Sequence, residues 1–142
     1  MGVEHETVGT LVRHPAVVVD SEAPLREVAE ILAQESIGAA IVRRTVVIDG
    51  TPRHPEGLVS ERDISRAIAA GLDPDAIRAG DVMTVDLAYA KSGETILRVA
   101  KRMLANGIRH VPISDDGVII GMVSERDVMS ALVQEVHERR GK

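Results

Sequence analysis

The sequence predicts a mixed α+β fold built from two tandem copies of one small unit, each a short sheet with two helices. The main observation is a repeat: Gly57–Asp63 returns as Gly121–Asp127, and the last five residues of each segment are identical. Upstream of this motif the copies match at an offset of 71 residues instead of 64, as Gly9 and Gly80 do. One insertion of seven residues between positions 43 and 56 explains both offsets, as expected for a duplicated unit.

Each copy is predicted to run strand, helix, strand, strand, helix. The first strand is an apolar run, over residues 16–19 in copy one and 87–90 in copy two. The next two strands, 39–42 with 57–59 and 111–113 with 118–123, flank the turn dipeptides Asp49-Gly50 and Asp116-Gly117.

The helices are predicted from apolar residues that recur at helical spacing. Pro24 is suited to the first turn of the first helix, and Asn106-Gly107 supplies the stop of its counterpart in copy two. A second helix directly follows the repeated motif in each copy. The apolar positions of the four helices are Leu25, Val28, Ala29 and Leu32; Ile64, Ala67 and Ile68; Ile96, Val99, Ala100, Met103 and Leu104; and Val128, Ala131 and Leu132.

The copies are predicted to span residues 7–70 and 81–138, joined by a linker over residues 71–80 with turn residues at both ends. A unit of about 60 residues buries too little surface to be more than marginally stable alone. We therefore expect the copies to pack sheet to sheet with pseudo-two-fold symmetry, which would create two clefts.

Composition excludes several classes of function. The chain has 142 residues, a net charge of -5, no cysteine and one aromatic residue, a tyrosine. It lacks the basic surface and stacking aromatics of nucleic-acid binders, so no nucleic-acid partner is expected. Without cysteine, disulfides and thiol catalysis are excluded. No apolar run approaches the roughly 20 residues of a membrane span, and the start of the chain lacks a signal peptide's apolar stretch, so a cytoplasmic location is expected.

The repeated Ser-Glu-Arg-Asp motif lies between a strand and a helix in both copies. One interpretation is a helix cap, with the serine as N-cap and the aspartate at the third helical position. The other uses the same geometry to bind phosphate, because a helix N-terminus offers free N–H groups and a positive dipole end. The serine hydroxyl and the arginine, Arg62 or Arg126, would assist. The aspartate could accept hydrogen bonds from ribose hydroxyls. Both interpretations can hold at once.

Together, these motifs resemble the CBS domain, and the whole chain resembles a tandem CBS pair, or Bateman module. The resemblance extends over roughly residues 7–138 and rests on the repeated motif, on Asp81-Val-Met-Thr84 and on Gly107-Ile-Arg-His-Val-Pro-Ile113. It implies that the serine reaches a phosphate, that the aspartate holds the ribose, and that backbone and apolar side chains hold adenine. No metal site and no catalytic cofactor are expected, and the adenine nucleotide would be a regulatory ligand.

Carried over residue by residue, the resemblance implies two sites. The first would use Ser124, Asp127, Arg126, Arg109 and His110 of copy two, with Thr10, Pro15 and Ile37 of copy one. The second would use Ser60, Asp63, Arg62, Asp81 and Ile108.

The two sites are predicted to differ in charge. Copy two has Arg109-His110 where copy one has Gly38-Ala39, and Asp81 stands where the other site has Thr10. A phosphorylated ligand should therefore favour the Asp127 site, because charge-assisted phosphate bonds are strong. The Asp63 site would hold an uncharged adenosine moiety or nothing.

The leading hypothesis is a regulatory module that senses AMP, ADP, ATP or an S-adenosylmethionine-type compound. The alternative is a ligand-free homodimeric interaction module, in which the Ser–Asp pairs are only caps. An enzyme is not expected, because no nucleophile–base arrangement, Gly-x-Ser-x-Gly elbow or glycine-rich phosphate loop is present. The expected partners are the adenosyl compound, a second copy of the chain and an effector protein.

Overall fold

The order of helices and strands repeats, and the predicted mixed α+β fold is confirmed. The computed structural model describes residues 2–44, 46–53 and 56–141. The elements are a 3-10 helix (Val8–Leu11), β1 (Val18–Asp20), α1 (Leu25–Glu35), β2 (Ala39–Arg43), β3 (Val46–Ile48), β4 (Thr51–Arg53), β5 (Glu56–Ser60), α2 (Glu61–Ala69), α3 (Ala79–Val82), β6 (Ala90–Lys91), α4 (Ile96–Asn106), β7 (His110–Asp115), β8 (Val118–Ser124) and α5 (Glu125–Arg140). Within those ranges, no helix has both the length and the apolar character needed to cross a bilayer.

Each copy has a three-stranded sheet with the same topology. The orders are β1-β2-β5 and β6-β7-β8, with the first pair parallel and the second antiparallel. The first strand begins two residues late in copy one and three residues late in copy two, at Val18 and Ala90. These are the residues at which each first strand begins to pair with the central strand, Val18 with Ile41 and Ala90 with Ile113.

The insertion in copy one folds as an extra hairpin, β3 with β4, rather than as an irregular connection. Asp49-Gly50 forms the turn predicted between the second and third strands of the sheet, and it closes this inserted hairpin. Both residues have positive φ, 51° and 76°, as type I′ turns require. Asp116-Gly117 has the same conformation and joins β7 directly to β8, as predicted.

The boundaries of the compact units in the structure do not coincide with the boundaries of the sequence repeats. One unit contains the described residues up to Ala16 together with those from Ala88 onward, and the other is Val17–Leu87. The segment before β1 therefore packs with copy two, and the segment before β6 packs with copy one. Each copy's leading segment completes the other copy's fold.

This exchange is made by matching backbone hydrogen bonds at the 71-residue offset. At the start of α4, Ile96 N–H donates to the Glu6 carbonyl (3.0 Å), and at the start of α1, Leu25 N–H donates to the Ile77 carbonyl (2.9 Å). These bonds satisfy helix N-terminal amides that have no partner within their own helix. Val3 and Val8 also enter the core around α4, and Ala79 enters the core around α1.

Candidate ligand-binding site

Ser60 and Ser124 cap α2 and α5, so the capping interpretation is confirmed in both copies. Each serine Oγ accepts the N–H of the aspartate three residues on, at 3.3 Å in copy one and 3.2 Å in copy two. Oδ2 of Asp63 or Asp127 accepts the serine N–H in return, at 2.8 Å in both. The same Oδ2 accepts the serine hydroxyl at 3.0 and 2.9 Å.

The caps leave part of each carboxylate available for a ligand. The cap contacts of both aspartates converge on Oδ2, so Oδ1 takes no part in either cap. Asp63 and Asp127 are only half-buried. A carboxylate oxygen has more than one acceptor position, so an aspartate can cap its helix and accept a ligand hydroxyl together.

The strand beside each cap carries the charge difference predicted from the sequence. In the sheet ladders Ser60 lies opposite Ala39, and Ser124 lies opposite His110. The preceding residues are also equivalent: Glu61 N–H donates to the Gly38 carbonyl (2.9 Å), and Glu125 N–H donates to the Arg109 carbonyl (2.8 Å). Arg109 and His110 therefore lie next to the cap of α5, where copy one has no ionisable side chain.

Glu125 is a neighbour of this site that the sequence reasoning did not select. Its Oε2 lies 3.8 Å from Nε of Arg109, and both side chains are more than half exposed. An exposed pair at this distance is weak and screened by salt, so a phosphate can compete for the arginine. The signal in the sequence that could have identified Glu125 is the acidic second position of the Ser-Glu-Arg-Asp motif.

Thr10 and Pro15 lie in the same compact unit as Ser124, whereas the sequence repeat assigns them to the other copy. The exchange of leading segments is the reason. Thr10 belongs to the 3-10 helix, where its hydroxyl donates to the Thr7 carbonyl (2.7 Å). Pro15 is exposed in the segment that runs on to β1.

Asp81 occupies the corresponding place in the other unit, with Ser60. Its Oδ2 accepts the backbone N–H of Arg78 at 2.9 Å, so it caps the short helix α3. Ile37 follows α1 and Ile108 follows α4, and both are half-buried against the core of their own unit. Arg62 is half-buried and Arg126 exposed, each at the second position of its helix. No group of three or more histidine, aspartate or glutamate side chains in the described ranges could hold a metal ion.

Comparison with known proteins connects this arrangement to one family. A CBS domain profile matches residues 8–70 and 79–134. "CBS domain-containing protein CBSX3, mitochondrial" of Arabidopsis thaliana is 34% identical over 110 residues, which are 75% of this chain and 52% of that protein. The chain thus spans about half of this relative's length. "Hypoxic response protein 1" of Mycobacterium tuberculosis is 27% identical over 111 residues, covering 78% of this chain and 73% of that protein.

Solved structures of CBS domain proteins are also similar to this chain. "CBS domain protein PAE2072 from Pyrobaculum aerophilum complexed with AMP" is 28% identical with a TM-score of 0.70, covering 90% of this chain and 98% of that one. The "CBS-domain containing protein ATU1752 from Agrobacterium tumefaciens" is 26% identical with a TM-score of 0.76, covering 89% and 93%.

Proposed function

The chain belongs to the CBS domain family as a tandem pair, and from that premise we propose that it is a cytosolic regulatory module that binds an adenosine nucleotide and catalyses no reaction. The observation that carries the proposal is the duplicated helix cap, in which each aspartate has a carboxylate oxygen that the cap does not use. The Pyrobaculum aerophilum structure, which contains AMP, supports the choice of ligand class.

At the Asp127 site, the phosphate would lie at the N-terminus of α5 against Ser124, Arg109 and His110, with Arg126 nearby. The exposed positive end of a helix and the arginine both favour an anion there. Oδ1 of Asp127 would accept ribose hydroxyls. The base contacts assigned to Thr10, Pro15 and Ile37 stay predictions.

At the second site, the same arrangement would use Ser60, Arg62 and Asp63, with Gly38 and Ala39 at the positions equivalent to Arg109 and His110. Asp81 would disfavour a phosphate by its like charge, and the base contact assigned to Ile108 stays a prediction. This site would take an uncharged adenosine moiety or remain empty.

Binding becomes regulation only if the ligand has different affinities for two states of the protein. We propose that the second state differs in self-association or in the binding of an effector protein. Several apolar side chains on the outer surfaces of the helices are exposed, which supports a homodimer. They are Ile68, Leu104, Met129, Val133 and Val136.

The test is a thermal-shift panel of AMP, ADP, ATP, NAD and S-adenosylmethionine. A ligand present at 100 times its dissociation constant adds about 2.7 kcal/mol per site, which should raise the melting temperature by several degrees. Guanosine nucleotides should shift it less, because the base is part of the contact. The double variant Asp63→Ala, Asp127→Ala should stay folded and lose the shift.

The ligand-free interaction dimer is the second candidate, since the caps alone account for Ser60, Asp63, Ser124 and Asp127. A melting temperature indifferent to all five compounds at millimolar levels would favour it over the sensor.

A further inference from the structure

The hairpin inserted in copy one is not needed to build the sheet of that copy. Copy two runs from β7 directly into β8 through Asp116-Gly117, yet both copies form the same three-stranded sheet. Within the described residues, β3 and β4 make a separate two-stranded sheet, in which Val47 and Ile48 are 67% and 55% exposed. A two-stranded hairpin is at best marginally stable in water, so an added strand would stabilise it.

The two outer edges of the hairpin differ in their capacity to accept another strand. Ile48 lies opposite Thr51 across the two-residue turn, so these two residues exchange the ladder hydrogen bonds, and the next pair, Val47 and Pro52, does not. The backbone groups of Val47 and Pro52 therefore point outward. Pro52 has no N–H to donate, which is one way in which edge strands are blocked. Val47 has both an N–H and a C=O, so the edge of β3 is open.

The sequence of β3 is complementary to itself in antiparallel pairing. With Val47 opposite Val47 of a second copy, Val46 lies opposite Ile48 in both directions, so every cross-strand pair is β-branched and apolar. Each Val47 N–H then donates to the other Val47 C=O. Exposed Arg44 and Asp49 lie beyond opposite ends of β3, so antiparallel pairing brings each toward the opposite charge of the second copy. Parallel pairing would bring like charges together, which is destabilising.

We propose that the β3 edges of two copies of the chain pair antiparallel around Val47 and form a four-stranded sheet in the order β4-β3-β3-β4. A second copy fits this edge because its β3 supplies the matching apolar pairs and the matching charges. Each copy has one open β3 edge, so two-fold symmetry closes the contact after two copies. The hairpin lies within one compact unit, residues 17–87. The contact is separate from the helix-mediated homodimer proposed above and from adenosine binding.

The first experiment uses the absence of cysteine from the chain, because one substitution then reports which residues meet. The two Cα atoms of a hydrogen-bonded antiparallel pair are about 5.5 Å apart, a distance that a disulfide spans. Val47→Cys, oxidised with copper–phenanthroline, should therefore give a disulfide-linked dimer on a non-reducing gel. Ile48→Cys is the matched control on the same strand. Its two Cα atoms would be about 8 Å apart, so its dimer yield should be at least about fivefold lower.

The second experiment places like or opposite charges at the two-fold axis and measures the weight-average mass by sedimentation. At about 100 μM protein, chosen because the contact is small, Val47→Lys and Val47→Glu should each lower this mass relative to wild type. An equimolar mixture of the two variants should recover it, since lysine then lies opposite glutamate. Thr51→Lys is the control, because it adds the same charge at an exposed position of β4 and should leave the mass unchanged. Far-UV circular dichroism melts separate a lost contact from a lost fold.

Equal disulfide yields from Val47→Cys and Ile48→Cys would overturn the proposed pairing around Val47. A lack of disulfide in Val47→Cys, or a mass that neither charged variant changes, would overturn the β3 contact altogether. A helix-mediated homodimer would persist in all Val47 variants, so its presence or absence is distinguishable from these results. Calorimetric titration with AMP decides the sensor function independently.

Discussion

The glycine that opens each repeated motif has a structural role that the sequence does not reveal. A Cβ on Gly121 would lie 2.4 Å from Cγ1 of Val12 and 3.2 Å from the His14 carbonyl oxygen. A Cβ on Gly57 would lie 2.5 Å from Sδ of Met83. The exchanged segments therefore pass directly over β8 and β5. The need for glycine depends on a contact with a distant part of the chain, which repeat and periodicity arguments cannot detect.

Gly121→Ala should lower the free energy of unfolding by about 1–3 kcal/mol, because Val12 is β-branched and cannot turn its methyl group away freely. Gly93→Ala is the control, since a Cβ at Gly93 meets nothing within 4 Å. Gly93→Ala should be neutral or stabilising by up to about 1 kcal/mol. Urea unfolding of both variants measures the difference, and equal losses would contradict the close approach over β8.

Among the elements, those with local signals were predicted well. Apolar spacing located α1 and α4, and the Asn106-Gly107 stop is confirmed by Gly107 as C-cap with a φ of 62°. The turn of the inserted hairpin, Asp49-Gly50, was predicted, but the short strands β3 and β4 beside it were not, because copy two has no equivalent segment. The exchange of leading segments left no local signal, because those backbone bonds connect residues that are far apart in the sequence.

The N-terminus of α4 should make stability depend on pH. Hydrogen bonds from Arg102 lower the pKa of Glu94 below its ordinary value of 4.5, helped by the Lys91 backbone N–H. Because the pKa is lower in the folded state, the unfolded chain binds more protons in acid. The stabilisation is therefore fully present above the ordinary pKa and is lost as the pH falls through the folded value.

Glu94→Gln should accordingly destabilise the protein at about pH 7, and the difference from wild type should shrink as the pH falls through the lowered pKa of Glu94. Urea titrations of both proteins across this range measure it. Glu4→Gln, at an exposed position, should show little difference from wild type at either end. A Glu94→Gln deficit that stays constant down to acid pH would show that the loss is steric rather than ionic.

At the scale of the whole molecule, duplication made the two helix caps predictable, but it did not reveal the exchange of leading segments between the copies. Both caps follow from one motif read twice, and Arg109 and His110 lie beside Ser124 as the comparison of the copies implied. By sequence Thr10 and Pro15 belong to copy one, and the structure places them in the compact unit of Ser124 because the leading segments are exchanged. Their contact with a base stays a prediction. The Glu125 carboxylate was missed because a charge beside Arg109 is visible only once β7 and α5 are adjacent.

The charge difference between the Asp127 site and the Asp63 site gives the last prediction, in which the two sites are compared by calorimetry with AMP and adenosine. Asp127→Ala should weaken AMP binding by about 1.5–3 kcal/mol, the loss of a hydrogen bond to a charged acceptor. Asp63→Ala should have a smaller effect on AMP, because its site has Gly38 and Ala39 in place of the cationic pair. Arg109→Ala should reduce the preference for AMP over adenosine while leaving adenosine binding unchanged, since that arginine would contact only the phosphate. Equal losses from Asp127→Ala and Asp63→Ala would show that Arg109 and His110, although adjacent to the α5 cap, do not decide where the phosphate binds.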